Sequence, residues 1–327
     1  MKLATRIDGS RDGALAVVSR DGRRYLDASG VAPTLQAALD GWDAAQPGLR
    51  ALAARLDAGQ GEPIDSASLA SPLPRAWQWL DGSAFPTHGV LMQKAFGLPP
   101  IETERPLMYQ GMSHRFLSAT EDVPFPSEAD GIDFEGEFGV VTGDVPMGCP
   151  PQAALAHVRL IVLLNDWSLR AIAPVEMKTG FGWINAKPAC SMAPFAVTPD
   201  ELGDAWRDGR VCLPLTVVLN DMWFGNPAGD AMAVGFDELI AHAARTRDLP
   251  AGTIIGSGTV SNADHARVGS TCLSERRAID MIEGSDITPY LRFGDRVRMT
   301  VSHEGTELFG VLDQRVCKAG ASEPLRR

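Results

Sequence analysis

Acidic side chains at alternate positions are the first chemistry legible in this chain: Asp133, Glu135 and Glu137 in the run IDFEGEFGVV. Extended backbone sends successive side chains to opposite faces, so the three carboxylates share one face while Ile132, Phe134, Phe138 and Val140 take the other. Like charges held this close raise one another's pKa unless a shared proton or a cation relieves them, and a bound metal ion is the simplest relief. The same alternation also describes the solvated face of a half-buried antiparallel strand, so the triplet alone leaves both readings open. A further acid, Asp166, stands where the apolar run LIVLLNDWSLR (160–170) stops at Asn165. Polar residues at the mouth of a buried strand are held rigidly and are well placed to build a site. Glu135, Glu137 and Asp166 together make an all-oxygen set that suits Mg²⁺, Mn²⁺ or Ca²⁺ and disfavours zinc. Three carboxylates leave coordination positions open for a chelating keto acid. Arg170 follows Asp166 by four residues and can pair with it or await an anionic substrate. The glycines of GSGTVSN (256–262) allow close backbone approach to a ligand and Thr259 adds a hydroxyl, although a plain turn or bulge explains this segment equally well.

The elements that must position these groups are short. Residues 75 onward are dense in Gly and Pro with brief apolar runs, as in a mainly β domain with decorated loops. Strands are expected in RLIVLLNDW, PLTVVLN, GTIIGSGTV, DRVRMTVS and TELFGVLDQRV, the last two joined through His303, Glu304 and Gly305. Helices are expected at Pro151–Arg159 and Phe236–Arg245. Upstream, residues 14–28 read as a hairpin turning at Asp21 and Gly22. Two helices follow: Thr34 caps the first, Pro47 begins or breaks the second, and Gly59 ends it. The Ser/Pro-rich stretch at 66–74 divides a small N-terminal domain (1–72) from a larger domain (73–318), with a frayed tail at 319–327.

Bulk properties exclude several classes. With 327 residues, 45% of them hydrophobic, the chain can bury a large core, and disorder is not an option. A net charge of −11 without a basic face argues against nucleic acid. Cys149, Cys190, Cys212, Cys272 and Cys317 are odd in number and widely spaced, so neither a disulfide framework nor a zinc site is indicated. The start MKLATRIDGSRDG lacks the apolar core of a secretory signal, and no apolar run approaches the roughly 20 residues needed to cross a bilayer. A cytoplasmic location with no membrane partner is expected.

Taken in order, the DFEGEF strand, NDWSLR, a lysine about twenty residues on and SGT resemble the fumarylacetoacetate hydrolase (fumarylacetoacetase) superfamily over roughly residues 75–317. The resemblance implies an α+β architecture, with a mixed β-roll or barrel-like catalytic domain behind a small N-terminal α+β domain, assembled as a homodimer. It implies that Glu135, Glu137 and Asp166 bind the metal and that Asp133 falls back to a structural or supporting role. Lys187 matches the lysine that polarises the scissile carbonyl, with Lys178 as the competing position. Arg170 matches an arginine of the substrate pocket, and Gly258 with Thr259 matches the loop at the substrate's carboxylate end. PLMYQGMSHRFL (106–117) resembles the substrate-side loop, with Tyr109 and Gln110 lining the pocket. One branch of the family takes a fourth metal carboxylate and a histidine from that loop. His114 can be that histidine, but Leu107 or Met108 stands where the acid would be, so the three-carboxylate site of the smaller bacterial relatives is the better match.

The general base stays open at this point. Those relatives carry a His and Glu pair on a helical lid, and FPTHGVLMQKAFG supplies His88 but places Val90 and Leu91 where the acid is expected. Either His88 with a carboxylate from elsewhere, or His114 paired with Glu275, can activate water. His157, His242, His265 and His303 have no such context. The activity implied is hydrolysis of a carbon–carbon bond in a β-diketo acid such as fumarylacetoacetate, fumarylpyruvate or another acylpyruvate, through a metal-bound enolate. The same site serves oxaloacetate decarboxylation or keto-enol isomerisation as the alternative, and a weakly active metal-binding homologue with a structural or regulatory role is the second alternative.

Overall fold

The computed structural model describes residues 1–97, 99 and 103–320; most of the expected C-terminal tail, from residue 321, lies outside them. Strand Val158–Asn165 shows how the layers arise. Every residue but Arg159 is buried, with Ile161 and Leu163 facing one core and Leu160, Val162 and Leu164 facing another. A strand apolar on both faces must lie in the middle of a sandwich. On one side, helices Leu35–Asp40 and Trp42–Asp57 cover it through Leu35, Leu39, Trp42, Leu49 and Leu56. On the other, a second sheet packs Val123, Phe125, Val217, Val297, Met299, Leu312 and Val316 against Phe138, Val140 and Ile161. The result is three layers: helices, a twelve-stranded sheet and a five-stranded sheet.

The twelve-stranded sheet is mixed and open, running from Glu62–Pro63 at one edge to Met108–Gly111 at the other. The architecture is therefore α and β together, as expected, but no barrel closes among the described residues. The two edge strands never meet. The first strand, Lys2–Arg6, joins the same sheet by pairing Lys2 with Val197 and Leu3 with Ala196, so the N-terminal segment extends the sheet on which the acids lie. The hairpin around Asp21 and Gly22 forms between Ala14–Val18 and Arg24–Asp27, with Gly22 at a φ of +72°. The hairpin Ser302–His303/Thr306–Glu307 turns through Glu304 and Gly305, both at positive φ. Thr34 caps its helix by accepting from the Ala37 amide at 3.0 Å.

Three local expectations change. Pro47 neither begins nor breaks a helix but lies inside Trp42–Asp57, where burial of Trp42, Ala45, Leu49 and Leu56 along one face offsets the lost backbone bond. The expected helix at 151–159 is a single turn, Pro151–Ala154, followed by a 3-10 turn, because the apolar strand starts at Val158. The IDFEGEFGVV run is two strands, Ile132–Asp133 and Gly136–Thr142, interrupted at Phe134 and Glu135. No helix among the described residues is long and apolar enough to cross a membrane.

Candidate metal centre and active site

Four neighbouring strands and the residue just beyond a fifth bring the site together. In the large sheet, Val158–Asn165, Gly136–Thr142, Ile254–Gly256, Trp79–Gly82 and Met108–Gly111 lie side by side. Side-chain alternation puts Glu137 on the face of Val141, Asp166 on the face of Val162 and Leu164, and Asp81 on the face of Trp79. All of these neighbours belong to the helix-covered core, so the three acids share one face at one end of the sheet. Oxygens of Asp81, Glu137 and Asp166 converge to within 4.8 Å of one another, and all three side chains are buried. Tyr109 sits directly across from Asp81 in the strand pair and donates from its hydroxyl to Asp166 Oδ2 at 2.5 Å.

The acidic triplet is thus buried rather than solvated: Asp133, Glu135 and Glu137 are each at most 4% exposed. Their environments differ. Glu137 has no hydrogen-bond partner on either carboxylate oxygen. Burial, followed by the charges of Asp81 and Asp166, pushes its pKa well above the ordinary glutamate value. Burial and Asp166 push Asp81 up in the same way. A buried, unpartnered carboxylate is costly unless it holds a proton or a cation, and two more carboxylates facing it make a divalent cation the fitting partner. Glu135 is placed differently, between Arg170 Nη2 and Lys187 Nζ. Burial works to raise its pKa, but those two cations outweigh it and hold it below the usual carboxylate range. Lys187 also donates to Asp166 Oδ2 at 2.6 Å, and burial, which works to lower its pKa, is outweighed by Asp166 and Glu135. Cys190 donates from its thiol to Asp166 Oδ1 at 2.8 Å.

The converging set therefore differs from Glu135, Glu137 and Asp166 by one member: Asp81 takes the place of Glu135, whose carboxylate is held by Arg170 and Lys187. Asp81 escaped sequence reasoning because a lone acid in WQWLDGSAF carries no pattern, and its partners come from strands 56 and 85 residues away. Its lodging depends on glycine. A Cβ on Gly256 would lie 2.3 Å from Asp81 Oδ1, and the Gly258 amide, at a φ of +78°, donates to that same oxygen at 3.0 Å. Gly258 thus meets Asp81, while Thr259 is buried close by.

A histidine–carboxylate pair lies near Glu135, on which the His88 ring acts electrostatically. His88, on helix Pro86–Phe96, has Nδ1 3.0 Å from Glu275 Oε2 on helix Leu273–Glu283. The helices pack through Leu91, Ala278 and Ile279, so the acid missing from the His88 helix is supplied by a neighbour 187 residues on. The Leu273–Glu283 helix is anchored in turn by Asp133, which accepts from the Leu273 and Ser274 amides at 2.7 and 2.9 Å and from Arg170 Nε at 2.8 Å. Two expected site residues fall elsewhere. His114 is exposed and is not the partner of Glu275. Gln110 is exposed and accepts from Arg247 at 3.3 Å, because its neighbour Tyr109 takes the site-facing position in the strand. Lys178, the competitor of Lys187, is exposed on helix Ala173–Thr179.

Residues 78–317 match the family model for the fumarylacetoacetate (FAA) hydrolase C-terminal region, and residues 1–75 match fumarylacetoacetase N-terminal domain 2. The chain belongs to the fumarylacetoacetate hydrolase family. Among curated sequences, an uncharacterized protein of Staphylococcus aureus strain USA300 is 30% identical over 177 residues, 54% of this chain and 51% of that one. The chain thus spans about half the length of the curated relatives it matches. Among solved structures of the same fold, maleylpyruvate hydrolase from Sphingobium sp. SYK-6, in complex with manganese(II) and pyruvate, superposes with a TM-score of 0.66 at 18% identity, over 98% of this chain and 100% of that one. Fumarylacetoacetate hydrolase from Exiguobacterium antarcticum gives 0.64 at 17% identity, over 98% and 100%. A 5-carboxymethyl-2-hydroxymuconate delta-isomerase from Mycobacterium smegmatis gives 0.58 at 17% identity, also over 98% and 100%.

Proposed function

We propose that this chain is a metal-dependent hydrolase that cleaves a carbon–carbon bond in an acylpyruvate or a related β-diketo acid. The observation that carries the reading is the buried cluster of Asp81, Glu137 and Asp166, with the unpartnered oxygens of Glu137 at its centre. These residues would hold Mg²⁺ or Mn²⁺; when bound, the cation supplies a Lewis acid for the keto-acid end of the substrate. Family membership supports the reading, as does the manganese and pyruvate complex of the maleylpyruvate hydrolase that shares the fold.

The remaining residues supply the proton chemistry. Glu275 orients His88 through Nδ1, which leaves Nε2 to take a proton from water as its oxygen bonds to the distal carbonyl carbon. Lys187, kept charged by Asp166 and Glu135, is the donor for the oxyanion formed there. The carbon–carbon bond then breaks, its electron pair leaving on the pyruvate side as an enolate that takes up a proton, and the acyl side departs as a carboxylic acid. Arg170 is committed to Asp133 and Glu135 and so holds the site's shape. The isomerase that shares the fold makes proton transfer without cleavage the second reading.

The test is a turnover panel of acylpyruvates, fumarylpyruvate and oxaloacetate with Mg²⁺ or Mn²⁺ and with chelator, products being identified by NMR. Pyruvate plus a carboxylic acid, lost on chelation, is the expected result. Carbon dioxide from oxaloacetate alone, or an isomerised substrate with its carbon skeleton intact, would overturn it.

A further inference from the structure

Between Arg170 and Lys187, which meet on Glu135, the chain makes a detour whose side chains the chemistry above leaves unused. Helix Ala173–Thr179 ends at Gly180, and residues 181–186 return to the site. Glu176 clasps that return: its carboxylate accepts from the amides of Ile184 at 3.0 Å, Asn185 at 2.9 Å and Ala186 at 3.0 Å. Three backbone donors on one acceptor group fix the path of the segment. They also hold the Glu176 carboxyl below its ordinary range.

The clasped segment delivers one aromatic ring to the site. The Trp183 centroid lies 4.9 Å from that of Tyr109, and Lys187 Nζ is 5.3 Å from both rings. The indole thereby roofs the ammonium that touches Glu135 and Asp166. Around it on the same detour Phe181 is 97% and Ile184 81% exposed, and Val175 and Met177 are more than half exposed, with Lys178 the one exposed cation among residues 173–186. An acidic acyl group entering along this side meets apolar side chains, whereas a flat apolar one gains contact with the indole.

We propose that Trp183 is a specificity-determining residue and Glu176 the residue that positions it. Together they make the site favour keto acids whose acyl group is flat and apolar over those with an acidic acyl group such as fumaryl. This rests on the acylpyruvate reading above.

The experiment compares wild type with Trp183→Ala, Trp183→Phe, Glu176→Gln and Glu176→Ala on benzoylpyruvate, acetylpyruvate and fumarylpyruvate at saturating Mn²⁺. Wild type should prefer benzoylpyruvate, and Trp183→Ala should lower its kcat/KM roughly tenfold, mainly through KM, with a smaller loss for acetylpyruvate. Trp183→Phe should restore part of the preference, and both Glu176 variants should erode it in the direction of Trp183→Ala. Amide hydrogen exchange at 184–186, measured without substrate, should accelerate in Glu176→Ala while the rest of the fold keeps its protection. Equal losses on all three substrates, or a wild-type preference for fumarylpyruvate, would overturn the specificity, and unchanged exchange would overturn the clasp. If wild type turns over none of the three, the hydrolase reading itself falls and the specificity with it, an outcome distinct from turnover without discrimination.

Discussion

Replacing Glu137 by Gln should stabilise the metal-free protein and weaken its metal binding, two effects of opposite sign from one carboxylate. Three carboxylate oxygens lie within 4.8 Å of one another. Two unit charges at that distance repel by about 3.5 kcal/mol at an effective dielectric constant of about 20. Glutamine removes Glu137 from two of the three pairs and adds an amide that can donate to Asp81 or Asp166. Because burial already pushes Glu137 and Asp81 toward their neutral forms, only part of that repulsion is present near neutral pH. The chelated variant should therefore exceed chelated wild type by about 1–3 kcal/mol. Mn²⁺ at a thousand times its Kd adds about 4 kcal/mol to wild type, which inverts the order once the metal is present. The sign with pH is fixed by the upward shifts. A carboxyl whose folded pKa lies above its unfolded 4.5 takes up protons on folding, so its contribution is full below 4.5 and is lost as pH rises through the folded value. Thermal unfolding of both proteins in chelator and in Mn²⁺, across pH, together with calorimetric Mn²⁺ titration, reads all of this. A variant less stable than wild type in chelator, or one with wild-type Mn²⁺ affinity, would refute the argument.

His88→Ala should lower kcat by roughly 10²–10⁴-fold and His114→Ala should leave it within a factor of about two, because His88 has a buried carboxylate to orient it whereas His114 is exposed; the reverse ranking in steady-state kinetics would move the base to the exposed loop. Lys187→Met should depress kcat by roughly a hundredfold or more with a smaller change in KM, as expected of a donor that acts on developing charge. A change confined to KM would reduce Lys187 to a binding group.

What the sequence made legible was the order and parity of the groups, and what it hid was their partners. Alternation correctly placed Asp133, Glu135 and Glu137 apart from Phe134 and Phe138, but a period of two cannot tell a solvated face from a buried polar one. That distinction comes from Asp81, Asp166, Lys187 and Arg170 closing over the acids from other elements. Asp81 itself was unreadable for the same reason: nothing near it in the chain marks it, and only the pairing of Ile254–Gly256 with both Trp79–Gly82 and Gly136–Thr142 brings it to Glu137. Pro47 shows the limit of a local rule, since a buried helix face kept the helix intact around it.

The three acids that look alike in the sequence carry three separate tasks in the fold. Glu137 faces Asp81 and Asp166 without a donor of its own, which is what a cation site requires. Glu135 is neutralised by Arg170 and Lys187, so it sets the charge and place of the lysine. Asp133 binds the first amides of helix Leu273–Glu283, and the Cys272 thiol caps Glu275 N–H at 3.2 Å beside it. Glu275, fixed by that anchored turn, is the group that meets His88. A negative charge at a helix N-terminus is favoured by the helix dipole, and here that stabilisation also aligns the histidine. Arg170 bridges Asp133 to Glu135, so the carboxylate cluster and the histidine pair are joined through one guanidinium and two acids on either side of Phe134. Loss of Asp133 would thus reach the base and the lysine together, although Asp133 lies outside the converging carboxylates.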